Sequence, residues 1–74
     1  MIVYTCYDIV PVNNDAYTSR TGQKIFSSKL DRLVYESKLI DFYSEFIIYR
    51  IEVKYDDNKI SDTEIVNIYN PSVK

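Results

Sequence analysis

Read from its first residues, the chain alternates between stretches with apolar groups on both sides and stretches with a strict two-residue rhythm. IVYTCYDIV is β-branched and aromatic throughout, and Pro11 followed by VNND stops it. Ile2, Tyr4 and Cys6 fall on one side of this strand, and Val3, Thr5, Tyr7 and Ile9 on the other. Both sides are mostly apolar, which predicts a central strand covered on both faces. AYTSRTGQKIF reads as a hairpin or an extended arm, with Gly22 supplying the positive-φ position of a turn.

The next segment, SSKLDRLVYESKLIDF, has helical spacing. Ser27 or Ser28 caps it, and Asp31 in the first turn complements the helix dipole. Leu30, Leu33, Val34, Ser37 and Ile40 recur at intervals of three and four and predict the buried stripe. Arg32 and Glu36, four residues apart, are read as a weak surface pair. SEFIIYRIEVKYDD then switches to period two. Ile47, Tyr49, Ile51, Val53 and Tyr55 share one face, and Arg50, Glu52, Lys54 and Asp56 share the other. Phe46 and Ile48 place large apolar groups on that second, polar face. One helix covers one face of a small sheet, so the expectation is a second copy of the chain covering Phe46 and Ile48.

The last segment, TEIVNIY, has strand composition, and Asp57-Asn58 suits a two-residue turn. That turn alone sets Asp62 and Glu64 opposite the apolar row of Val53 and Ile51. Either a bulge shifts the pairing, or Ser61-Asp62-Thr63-Glu64 is a capping box opening a short helix that Pro71 ends. The β-branched content favours the strand. The fold class expected is therefore α+β, a single domain over 1–74 of the form β-(hairpin)-α-β-β, with one helix on a small sheet.

Composition narrows the function. At 74 residues the chain has room for one core of marginal stability. Cys6 is the single cysteine and there is no histidine, so neither an internal disulfide nor a structural zinc site is expected. Apolar runs fall far below the ~20 residues that cross a bilayer. MIVYTCYDIVPV lacks a basic lead-in and a small-residue cleavage site, so the expected location is cytoplasmic, without a signal peptide or membrane association.

Candidate chemistry is sparse. General acid–base catalysis usually recruits histidine, and a carboxylate pair needs a walled cleft that so short a chain can hardly enclose. Cys6, inside an apolar strand, reads as core rather than nucleophile. One glycine cannot build a phosphate loop. KYDDNKISDTE resembles a calcium loop only in composition, without the glycine and the alternating ligands. The expectation is a protein without enzymatic activity and without a cofactor or metal.

Charge is unevenly placed along the chain. Glu52, Asp56, Asp57, Asp62 and Glu64 stand against Lys54 and Lys59, a net of −3 between residues 52 and 64 of a chain whose net charge is −2. Acids on alternate strand residues lie ~6.6 Å apart, of the order of the phosphate spacing along a nucleic-acid strand. They are the candidate partner-binding surface, one that imitates DNA toward a basic nucleic-acid-binding protein. Arg20, Lys24, Lys29 and Arg32 are the alternative, a basic surface for direct nucleic-acid binding, although the chain's net charge has the opposite sign. A structural or assembly subunit is the third class. The eight tyrosines suit interfaces, yet in so small a domain Tyr43, Tyr49, Tyr55 and Tyr69 are expected to be half-buried core.

The stretch GQKIFSSKLDRLVYESK resembles the strand-to-helix step of many short bacteriophage βαβ-type proteins. The compact Tyr-, Ile-, Asn- and Lys-rich chain is similar to small early proteins of lytic bacteriophages. The resemblance implies a class of work: a small dimeric inhibitor in the host-cell cytoplasm that binds a host protein and blocks it, sometimes by imitating DNA.

Overall fold

The structure, a computed structural model, describes residues 1–12 and 18–71. One helix packs on a four-stranded antiparallel sheet. The elements run β1 (Ile2–Pro11), β2 (Ser19–Arg20), α1 (Lys29–Phe42), β3 (Phe46–Asp56) and β4 (Lys59–Tyr69), and the sheet order is β2-β1-β3-β4. The expected α+β class, the central position of the first strand and the strand at the end of the chain are all present.

The segment around β2 is an arm laid along β1 rather than a tight hairpin. Thr5 and Lys24 exchange backbone hydrogen bonds of 2.8 Å, and Thr21 N–H donates to the Tyr7 carbonyl at 2.9 Å. Gly22 does not have positive φ, contrary to expectation, because the arm stays extended past it instead of reversing there. The left-handed positions lie at Asp57 (φ 51°) and Asn58 (φ 63°), the two-residue turn between β3 and β4. Two register shifts follow this turn, one between Lys54 and Tyr55 and one between Arg50 and Ile51. The first is absorbed by Ser61 and the second by Val66, each an extra residue on β4. The Ser61 bulge carries Asp62 opposite Lys54 and Glu64 opposite Glu52, and so removes both acids from the apolar row.

Ser28 caps α1: its side chain accepts from Asp31 N–H at 3.1 Å, and Ser27 donates to the Asp31 carboxylate. At the far end Tyr43 N–H closes on the Leu39 carbonyl, and the Asn70 side-chain amide donates to the carbonyls of Tyr43 and Phe46. These last bonds tie the end of β4 to the helix–strand connection.

The helix sits on the face that carries Phe46, Ile48 and Arg50. Tyr7, Ile9 and Ile48 form a cluster there under Tyr35, Leu39, Ile40 and Tyr43, with Phe46 and Tyr69 at its side. Two expectations are corrected here. Ile48 is fully buried beneath the helix and Phe46 is half-buried in the same cluster, so α1 itself does the covering that was assigned to a second copy at these two residues. The helix is also rotated away from the expected stripe: Leu30 (68% exposed), Leu33 (46%) and Val34 (47%) face outward, while Glu36 is buried. The opposite face of the sheet holds the uniformly apolar row, and a second cluster of Cys6, Ile51 and Val53 sits there against Tyr49 and Tyr55. Among the described residues, α1 contributes only to the first cluster.

Candidate functional site

Glu36 is 3% exposed and lies at the centre of a polar network beneath the helix. Tyr7 on β1 donates its hydroxyl to Glu36 Oε2 at 2.8 Å, and Arg32, one helical turn earlier, donates to both carboxylate oxygens at 3.1 and 3.2 Å. Arg50 Nε on β3 approaches Oε2 to 3.3 Å, an ion pair that lacks hydrogen-bond alignment. Burial, and then the hydrogen bond to Glu36, push the Tyr7 hydroxyl well above the ordinary tyrosine range. One acid shared by two guanidinium groups and a phenol is thus a structural anchor that joins α1, β1 and β3. The sequence presented it only as a surface pair, because Tyr7 and Arg50 reach it from distant strands.

The four candidate basic residues are divided among separate contacts, with Lys29 and Arg32 beside one cleft. Arg20 is held by Asp8 in a two-pronged contact, at 2.6 Å through Nε and 2.8 Å through the second nitrogen. Arg32 is spent on Glu36, and Lys24 Nζ lies 4.9 Å above the Tyr35 ring. Lys29 is exposed at the start of the helix, beside a shallow cleft also lined by Arg32, Arg50 and Glu52.

The acidic residues, by contrast, are gathered by the register. Glu52 on β3 stands directly opposite Glu64 on β4, with Asp62 two residues along on the same face. Asp56 pairs across to Lys59 at the end of the hairpin, and Asp57 occupies the turn. Asp56, Asp57, Asp62 and Glu64 are exposed, while Glu52 is partly covered and lies 3.6 Å from Arg50. Lys54 opposite Asp62 and Lys59 opposite Asp56 interrupt the acids, so the surface is a ladder with a net negative bias.

The sheet face away from α1 has a different character. Register aligns Tyr49 with Ile68, Cys6 with Ile51 and Ile65, Tyr4 with Val53 and Thr63, and Ile2 with Tyr55 and Ile60. Its strand positions carry one ion pair, Asp8–Arg20 at the β2 edge, and otherwise no charge. Ile2, Ile60, Ile65 and Ile68 remain 45–59% exposed. Cys6 lies in the middle of this face, buried, and desolvation pushes its thiol pKa up. Tyr43, Tyr49, Tyr55 and Tyr69 are half-buried, as expected.

A third feature is an open groove of about 470 Å³ between α1 and β4, lined by Leu33, Glu36, Ser37, Ile40, Asp41 and Tyr69. Among the described residues no group of three or more His, Cys, Asp or Glu is placed to hold a metal ion, and no helix is long and apolar enough to cross a membrane. No family model, curated protein or solved structure matches the chain.

Proposed function

We propose that this chain is a non-enzymatic binding protein that engages a basic, nucleic-acid-binding protein through the acidic end of its β3–β4 hairpin, in the manner of a phage-encoded inhibitor. The observation that carries the reading is the direct opposition of Glu52 and Glu64. Like charges facing each other across a sheet destabilise it. This pair is flanked by Asp62 on the same face, and Arg50, 3.6 Å from Glu52, offers it partial relief. A cationic partner would relieve the repulsion, and its approach would be steered by the local field. The competing reading, direct binding of nucleic acid by Arg20, Lys24, Lys29 and Arg32, loses support because Arg20 is already paired with Asp8 and Arg32 with Glu36.

The test compares the wild-type chain with a variant carrying Asp56, Asp57, Asp62 and Glu64 all changed to Lys. Each is immobilised and exposed to bacterial lysate at low and at raised salt. The expected result is a basic partner held by the wild type, released by salt or by added duplex DNA, and lost from the variant. Capture that survives the reversal would overturn the proposal. A salt-weakened gel shift of duplex DNA by the wild type alone would replace it with the basic-surface reading.

A further inference from the structure

We propose that the sheet face turned away from α1 is where two copies of this chain pack against each other, sheet to sheet. This goes beyond the acidic-surface reading and does not rest on it. The argument begins with the contrast between the edge of the sheet and this face. The β4 edge carries two bulges and the in-line charges Lys59, Asp62 and Glu64. The N–H groups of Thr63 and Ile68 are engaged by the side-chain oxygens of Asp62 and Asn67, both at 2.9 Å. Bulges, charges and occupied donors are the devices that prevent a sheet from growing sideways. The face carries no such protection. Ile2, Ile60, Ile65 and Ile68 stand exposed around Tyr4, Tyr49 and Tyr55, interrupted by the Asp8–Arg20 pair, by Gln23 at the Tyr55 hydroxyl and by Thr63.

Three further observations select a second copy as the occupant. First, a contact surface so poor in charge has the composition of an obligate homodimer, a core cut in half, rather than of a transient complex. Second, the buried apolar side chains among the described residues are few: Cys6, Tyr7, Ile9, Ile48, Ile51 and Val53. A chain this small with so little interior gains most from a cover that is always present at its own concentration. Third, the dimensions suffice. Three strands of 10 or 11 residues, with β2 at one edge, make a face roughly 35 by 20 Å, or about 700 Å² in projection, of the order of the ~800 Å² per partner in a standard stable interface. Two such faces related by a two-fold axis stack ~10 Å apart with strands nearly aligned. Isoleucine then meets isoleucine and tyrosine, and Glu52, Asp62 and Glu64, on the opposite face of the sheet, remain outside the contact.

The test is sedimentation of the full chain from micromolar to near-millimolar concentration, with three variants. Ile65→Lys places a charge on the face, and Thr63→Arg does so at an exposed position that contributes nothing to the buried clusters. Leu33→Lys alters the outward side of α1 instead. The expected result is a wild-type dimer, self-association weakened about 100-fold or more in both face variants, and an unchanged dimer for Leu33→Lys. Far-UV circular dichroism of Thr63→Arg establishes that its sheet is intact, so a failure of Ile65→Lys to fold leaves the test standing. A wild-type chain that stays monomeric at the highest concentration overturns the proposal. So does a dimer that survives both face variants, or one that Leu33→Lys alone dissolves.

Discussion

At the scale of single residues, Glu36 determines more of the structure than any other polar group. Its carboxylate is out of water, and its cost is offset by Tyr7, Arg32 and Arg50 together. Glu36→Ala leaves Arg32 partly buried without its acid and Arg50 with Glu52 alone, and is expected to lower unfolding stability by about 3 kcal/mol in chemical denaturation. Tyr7→Phe removes one donor and is expected to cost about 1–2 kcal/mol. The tyrosine also sets an alkaline limit. Its folded pKa is raised, chiefly by burial and then by the bond to Glu36, so the stability it contributes is complete below the ordinary value of 10.0 and is lost as pH rises beyond it. Unfolding free energy should therefore fall above pH 10.0, and the fall should be shallower in Tyr7→Phe. Cys6 behaves alike on its own side of the sheet: buried, with its thiolate disfavoured by desolvation, it should resist alkylation until the chain unfolds.

At the scale of elements, the β3–β4 hairpin and the helix teach different lessons. The hairpin depends on two left-handed residues and carries one inserted serine. Asn58→Ala keeps the turn but forces a methyl-bearing residue to φ near 63°, at a cost of about 1 kcal/mol, whereas Asn58→Gly avoids that cost; thermal midpoints distinguish them. Deleting Ser61 takes out the extra residue of the bulge and leaves Asp62 opposite Lys54 and Glu64 opposite Glu52, so the same melts are expected to show a midpoint close to the wild-type value. The turn was legible from the sequence, because turn chemistry and period-two alternation are local, but the conflict at Asp62 left both a bulge and a short capped helix open, and pairing with β3 decides between them. The helix was legible in extent and cap but not in rotation. Leu30, Leu33 and Val34 make one apolar stripe, yet Tyr35, Leu39 and Tyr43 make another at equally good spacing. The choice between them was made by Arg50 and Tyr7, which draw Glu36 inward from strands that no local pattern connects to it. The assignment of Phe46 and Ile48 to a partner failed for the same reason, since the rotated helix is what buries them. The acidic set was readable as a list of residues, but its gathering onto one face was not, for it rests on the bulge.

At the scale of the whole molecule, the proposed partner site and the stability of the sheet are set against each other at the acidic end. Glu64→Lys places a cation opposite Glu52, and is expected to raise thermal stability by about 0.2–1 kcal/mol at low salt. The same change should weaken capture of the proposed basic partner, so a variant that melts higher and binds less well is the combined outcome to look for. A substitution that improved both would remove the reason for placing the partner there. The arrangement of strands has a temporal consequence as well. β1 lies between β2 and β3, and its full-length neighbour is β3, so that Ile2 meets Tyr55 and Pro11 meets Phe46. A strand near the start of the chain must therefore wait for residues synthesised dozens of positions later, and closing so long a loop is entropically slow. During that interval a sticky segment, IVYTCYDIV, stays unsheltered in the nascent polypeptide, and crowded or rapid production would expose it to clumping before the β3–β4 hairpin is ready to receive it.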